Sequence, residues 1–265
     1  MELHYKQYGE EGTPLIILHG LLGASGNWHT LSRNVFSKQF RVFALDQRNH
    51  GESPHHERLD YPAMAEDLRE FMDQHGLHTA HVMGHSMGGK TAMRFALDHP
   101  DRVERLIVVD MAPKAYRPHH LTLIDAMLEM HPERYDSRSE IDEVLAARVK
   151  SWPIRQFLLK NLTYDTEKGL YYWKNNLKAV RENYQHIISG LSLDGQFRRP
   201  TLFVRGERSG YVQSEDVAQI WRGFPNAQVV TIERANHWVH ADAPQPFASS
   251  VMDFLTKPEE EAMGR

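Results

Sequence analysis

Apolar positions along the chain follow two alternating patterns. Short continuous runs such as Leu15–Leu18 and Leu106–Val109 have no polar face and predict strands buried on both sides. Similar strands are expected at Arg41–Leu45, Ala80–Met83, Pro200–Gly206 and Gln228–Ile232. Leu3–Tyr8 alternates apolar and polar residues, the pattern of a half-exposed edge strand. Between the runs lie helical stretches. Tyr61–His75 places Met64, Leu68, Phe71 and Met72 on one face, with Pro62 suited to its first turn. Trp28–Phe36, Lys90–His99, Ser214–Phe224 and Pro246–Lys257 read as further helices, and the charged tail Pro258–Arg265 is expected to fray. Repeated strand–helix units predict an α/β fold with a mostly parallel sheet covered on both faces.

The pattern breaks between Ala112 and Asp194. No buried-strand run occurs there, and four amphipathic stretches follow one another: Leu121–Met130, Ile141–Trp152, Ile154–Leu162 and Trp173–Leu191. An insertion that begins just after the Leu106–Val109 strand lies above the strand ends, where open α/β sheets bind ligands. Residues 1–111 and 196–265 are therefore expected to form the core, and residues 112–195 a helical cap over the site. Of the cap's many aromatics, Trp152 and Tyr184 are candidates to touch substrate.

Bulk composition narrows the classes. A net charge of -4 gives no basic footprint for nucleic acid or an anionic membrane. The absence of cysteine removes disulfides, thiolate metal sites and a cysteine nucleophile. The first residues lack an apolar signal core and no apolar run approaches transmembrane length, so a cytoplasmic enzyme is expected. Seventeen histidines invite a metal reading, but the pairs His55-His56 and His119-His120 are adjacent and no H-E-x-x-H occurs. Surface or loop positions account for them, and neither metal nor cofactor is expected.

The chemistry centres on Gly84-His85-Ser86-Met87-Gly88, a G-x-S-x-G pattern set between a strand and a helix. A serine stands clear of a sheet only on a turn too sharp for neighbouring side chains, and the helix behind it aims amides at its oxygen. Ser86 reads as a nucleophile. Such a serine needs a base and a group to orient that base, in the chain order Ser, Asp/Glu, His. His237 follows a strand and a short loop, as a base delivered from a strand end would. His240 is expected to pack nearby. The acid is less direct. The loop Gly206–Val212 carries Ser209 where an aspartate is expected, Glu207 lies too near the glycine turn, and Glu215 and Asp216 resemble a helix start. Asp110, ending the strand after the nucleophile's own unit, is the candidate acid. Asp46 and Arg48 are assigned to bracing their polar loop.

Several segments together resemble α/β-hydrolase esterases of the bacterial YbfF type: His19-Gly20-Leu21, Arg48-Asn49-His50-Gly51, Tyr61-Pro62-Ala63-Met64-Ala65, Gly84–Lys90 and His237–Ala241. The likeness extends to Gln156–Lys160 and Ser209–Val212. It implies an α/β-hydrolase fold, a similarly displaced acid at Asp110, and activity on acyl esters or thioesters, including acyl-CoA. The mechanism then expected is attack by Ser86, with His237 as base and the backbone N–H groups of Leu21 and Met87 holding the oxyanion. Lys174, Lys178 and Arg181, three to four residues apart, would form one positive helix face able to meet a CoA phosphate. A serine at the elbow argues against dehalogenase or epoxide hydrolase chemistry. A carbon–carbon hydrolase, a perhydrolase and a ligand receptor on a hydrolase scaffold remain alternatives. Acyl chain length and oligomeric state have no signature in the sequence.

Overall fold

The computed structural model describes residues 1–263. Its strands are β1 (Tyr5–Tyr8), β2 (Thr13–Leu18), β3 (Phe40–Leu45), β4 (Ala80–His85), β5 (Val103–Val109), a separate pair β6 (Leu162–Asp165) and β7 (Leu170–Trp173), then β8 (Thr201–Gly206) and β9 (Ala227–Ile232). Seven form one sheet in the order β1-β3-β2-β4-β5-β8-β9. β1 runs antiparallel to β3 at the edge, and every other neighbour pair is parallel. The central runs are buried on both faces: Leu15, Ile16, Ile17, Val82, Met83 and Leu106–Val109 are inaccessible to solvent. That is why their sequences show no polar alternation.

The chain leaves β2 toward β3 on one side, then returns to place β4 on the other. The carboxyl ends of β2 and β4 therefore border the crevice at which open α/β sheets bind ligands.

Helices cover both faces: α1 (His29–Asn34), α2 (Tyr61–Gln74) and α3 (Met87–Asp98) precede the insertion. In α2 the Asp60 side chain accepts the Ala63 N–H at 2.8 Å, and Met64, Leu68, Phe71 and Met72 are all buried, the face expected from their spacing. Residues 112–195 contribute α4 (Leu121–Glu129), α5 (Arg138–Leu145), α6 (Trp152–Leu159), α7 (Leu177–Glu182) and α8 (Tyr184–Ile188). The sheet face is completed by α9 (Val217–Gly223), α10 (Val239–Asp242) and α11 (Pro244–Thr256). Among the described residues no helix is long and apolar enough to cross a membrane.

Three expectations are corrected. The inserted segment is not all helical, because β6 and β7 form an antiparallel hairpin with Leu162 opposite Trp173 and Asp165 opposite Leu170. Its last stretch is two short helices rather than one from Trp173. Asn176 caps α7 by accepting the Ala179 N–H, and the Asn183 side chain closes it by donating to the Ala179 carbonyl. At the tail, Glu259–Ala262 is a helical turn with Ala262 buried, so the fraying expected from its charge does not hold there; Gly264 and Arg265 lie outside the described residues.

The inserted segment has its own apolar cluster, with Ile124, Met127, Ile141, Leu158, Val180 and Tyr184, which also takes in Tyr61, Met64 and Met87 of the core. It is tied to the core by polar contacts too. The Asn176 N–H donates to the Asn49 carbonyl, and the Asn161 side chain donates to the Leu22 carbonyl at 2.7 Å.

Candidate active site

Ser86 sits between β4 and α3 at φ 54° and ψ -119°, a backbone state that is costly for any residue with a Cβ. Two glycines permit it. A Cβ on Gly84 would lie 2.0 Å from the Gly88 carbonyl oxygen, and one on Gly88 would lie 2.4 Å from the Leu18 carbonyl oxygen at the end of β2. The elbow is thus closed on itself and pressed against the neighbouring strand. Neither contact survives a side chain.

The turn holds Ser86 Oγ 3.0 Å from His237 Nε2, and His237 Nδ1 lies 2.8 Å from Asp110 Oδ2. Asp110 follows β5 directly, at φ 50°, and is completely buried. Its N–H donates to the Val204 carbonyl of the next strand at 2.7 Å, which fixes the reversed backbone and turns the carboxylate toward β8. There Oδ1 accepts the Gly206 N–H at 3.0 Å, and Oδ2 accepts the Ser209 hydroxyl as well as His237. The structure therefore brings Ser86, His237 and Asp110 together. It places Ser209 on the carboxylate. Glu207 lies away from the histidine and accepts the Arg234 N–H, while Asp216 pairs with Lys114.

Burial pushes Asp110 up to about 6, opposed by the Ser209 hydroxyl, the Gly206 N–H and Arg205. Burial, assisted by nearby His119, holds the His237 imidazole below its ordinary value. At neutral pH the ring is uncharged, its Nδ1 hydrogen is directed to the carboxylate, and its Nε2 lone pair faces the serine hydroxyl. That arrangement can take a proton from Ser86 and stabilise the imidazolium that results.

His237 is further fixed by two residues the sequence did not single out as functional. Tyr211 stacks on the imidazole with centroids 3.7 Å apart and planes at 14°. The His85 ring hydrogen-bonds the His237 carbonyl at 2.9 Å. The Tyr211 hydroxyl in turn hydrogen-bonds His119 Nε2. His119 and His120, read from sequence as surface or loop residues, lie on a loop but line the cavity over Ser86. His240 packs beside the site as expected, stacked on Trp28 at 4.3 Å.

The loop after β2 is held by His19 and Gln47. His19 Nε2 accepts the Gln47 N–H at 3.0 Å, and the Gln47 amide donates to the His19 carbonyl at 2.7 Å. Gln47 is itself held by its neighbours. Asp46 accepts the N–H groups of Ser25 and Glu52, and Arg48 makes a bidentate pair with buried Asp67 at 2.6 and 2.8 Å. Asp46 and Arg48 thus brace the loop, as their positions suggested. Gly20 runs so close to the elbow that a Cβ there would stand 3.1 Å from the Ser86 Cβ. Leu21 and Met87, at the amino end of α3, both line the space beside Ser86.

A cavity of about 550 Å³ opens from Ser86 between the core and α6 of the inserted segment. Leu123, Ile154, Phe157 and Trp238 make its wall largely apolar. Of the two aromatics expected to touch substrate, Trp152 stands on this wall at 62% exposure. Tyr184 does not. It is 1% exposed within the inserted segment, where its hydroxyl accepts the His120 N–H at 3.0 Å. The expected positive face does not form either. Lys174 precedes α7 and pairs with Glu52, Lys178 lies 4.0 Å from Glu182, and Arg181 pairs with Asp125 at 2.6 Å.

Comparison with known proteins agrees with this architecture. A family model described as alpha/beta hydrolase fold matches residues 13–244. An sn-1-specific diacylglycerol lipase, ABHD11, of Danio rerio is 39% identical over 252 residues, covering 92% of this chain and 79% of the relative. Esterase YbfF of Escherichia coli is 30% identical over 250 residues, covering 94% and 95%. The solved structure of a marine microorganism esterase, 40% identical, superposes with a TM-score of 0.92 over 95% of this chain and 98% of that one.

Proposed function

Since the chain belongs to the alpha/beta hydrolase fold family, with esterases and a lipase among its relatives, we propose that it hydrolyses carboxylic esters through an acyl-enzyme on Ser86. The observation that carries this reading is the single imidazole of His237, which spans Ser86 Oγ on one nitrogen and Asp110 on the other. No other buried histidine near Ser86 has both partners among the described residues.

The steps follow from that geometry. His237 Nε2 accepts the hydroxyl proton as Ser86 Oγ attacks the ester carbonyl, and the carbonyl π electrons move to oxygen. The N–H groups of Leu21 and Met87, the latter backed by the α3 dipole, hold the oxyanion. Collapse of the tetrahedral species breaks the bond to the alcohol oxygen, which takes the proton from His237. A water then gives its proton to the same nitrogen, attacks the acyl carbon and returns Ser86 to its hydroxyl form. Asp110 stays ionised throughout and balances the transient imidazolium.

Residues 112–195 act here as a cap that shapes the substrate cavity, with Trp152 at its wall. Lys174, Lys178 and Arg181 are engaged with carboxylates and line no part of that wall, which includes Lys160 but is otherwise largely apolar, so an uncharged ester is the substrate proposed. Thioesters share the acyl-enzyme route and belong in the same assay. A fluorophosphonate probe tests the nucleophile. Stoichiometric labelling of a peptide containing Ser86, lost in Ser86→Ala, is expected; labelling elsewhere, or none in protein with its native fold, contradicts the assignment.

A further inference from the structure

Two spaces of very different size meet at Ser86. One is the cavity of about 550 Å³ under α6, and its wall includes His237. The other is a recess of about 20 Å³ that also reaches Ser86 and shares Leu21, His119, His120 and Tyr211 with the first. Tyr61, Met87, Met111, Tyr116, Ile187 and Ile188 line only this recess, and His237 forms no part of it. Space of that size holds one water-sized group, the dimension of a methyl.

The chemistry decides which half of an ester goes where, given the acyl-enzyme reading above. The alcohol oxygen must receive its proton from His237 Nε2, so the alcohol has to sit on the side where that nitrogen is exposed. That side is the large cavity. That leaves the recess, which His237 does not line, for the acyl carbon's remaining substituent. We infer that the protein is an acetyl-selective esterase, acting on acetate esters of large apolar alcohols: the recess of Met87, Met111, Ile187 and Ile188 measures the acyl chain, and the cavity under α6 accepts the alcohol.

The recess resists enlargement. Met111 and Ile187 are nearly buried, and the Ile187 carbonyl accepts the buried Tyr61 hydroxyl at 2.5 Å, which pins that wall of the cap to α2. The Lys90 ammonium adds a second tie from α3, donating to the Ser189 carbonyl and lying 4.8 Å from the centre of the Tyr116 ring. A longer acyl chain has to displace packed side chains, and one unaccommodated methylene costs about 10-fold or more in selectivity.

The test uses an isomeric pair in which the ester is reversed, octyl acetate and methyl nonanoate, with p-nitrophenyl acetate, butanoate and hexanoate alongside. Octyl acetate is expected to exceed methyl nonanoate in kcat/KM by at least about 10-fold. Within the nitrophenyl series, where the leaving group is constant, rates are expected to fall at each added pair of carbons. Ile188→Ala and, independently, Met111→Ala are expected to raise butanoate relative to acetate. A preference for methyl nonanoate would reverse the assignment of the two spaces. Equal rates for the isomers, or an unchanged acyl profile in both variants with native circular dichroism, would also overturn it, while leaving Ser86-dependent ester hydrolysis in place. Absence of any Ser86-dependent turnover on all five esters would overturn the acyl-enzyme reading and this inference together.

Discussion

Ser209 donates its hydroxyl hydrogen to Oδ2 of Asp110, the same carboxylate oxygen that faces His237 Nδ1. The carboxylate comes from the end of β5, and the loop after β8 supplies a hydroxyl to hold it. A serine in that loop, where an acid is expected, becomes intelligible once Asp110 is seen to reach across from the neighbouring strand. Asp110→Asn is expected to lower kcat by up to roughly 10⁴-fold, because an amide accepts less well and favours the wrong tautomer of His237. Glu207→Gln, Glu215→Gln and Asp216→Asn are each expected to stay within about 10-fold of wild type. Steady-state kinetics on one ester decide the matter; a dead loop variant beside an active Asp110→Asn would move the acid.

The same contact sets a pH dependence. Activity requires the His237–Asp110 pair to be free of its extra proton, and burial, only partly offset by Ser209, Gly206 and Arg205, holds Asp110 up at about 6. The rate is therefore expected to be level above neutrality and to fall on the acid side, with an apparent value that belongs to the pair. The Ser209 hydroxyl favours the charged carboxylate, so Ser209→Ala raises its proton affinity and shifts the acid limb of kcat/KM to higher pH. A limb that stays in place, or moves to lower pH, would show that the hydroxyl does not tune the carboxylate.

Tyr211 lies flat on His237, and its ring limits the swing of the imidazole between Ser86 and solvent. Tyr211→Ala is expected to reduce kcat about 2- to 10-fold through loss of that stacking. Tyr211→Phe keeps the ring and is expected to recover most of the rate. Equal losses in both variants would assign the effect to the hydroxyl contact with His119 instead.

Because Lys174, Lys178 and Arg181 each face a carboxylate, replacing all three with alanine is expected to leave kcat/KM for a neutral ester unchanged at low and high salt. The same holds for an acyl-CoA. A loss confined to the CoA substrate that fades with added salt would restore the positive face as a binding element.

Much of the candidate site is legible in the sequence, because it is written in local pattern. The elbow needs glycines at fixed offsets between a strand and a helix, and Asp110 and His237 sit at strand ends. The buried strands announced themselves as unbroken apolar runs. What escaped depends on long-range partners. The β6–β7 hairpin is half exposed, so Leu162–Asp165 and Leu170–Trp173 lack a buried run and read as helix flanks. Tyr184 is an aromatic among many until its hydroxyl is seen to hold the backbone of His120. His119 and His120 carry no motif, and Tyr211 stands out only within the likeness over Ser209–Val212; His120 and Tyr211 meet near His237 from loops 91 residues apart in the chain.

Ser86 is the residue on which the proposed acyl-enzyme forms. Ser86→Ala keeps the strained turn, since alanine differs only by the hydroxyl, so the variant is expected to fold with wild-type circular dichroism. Its turnover of p-nitrophenyl acetate, measured on protein free of wild-type contamination, is expected to fall by about 10⁴-fold or more. Turnover within about 10-fold of wild type would contradict the account.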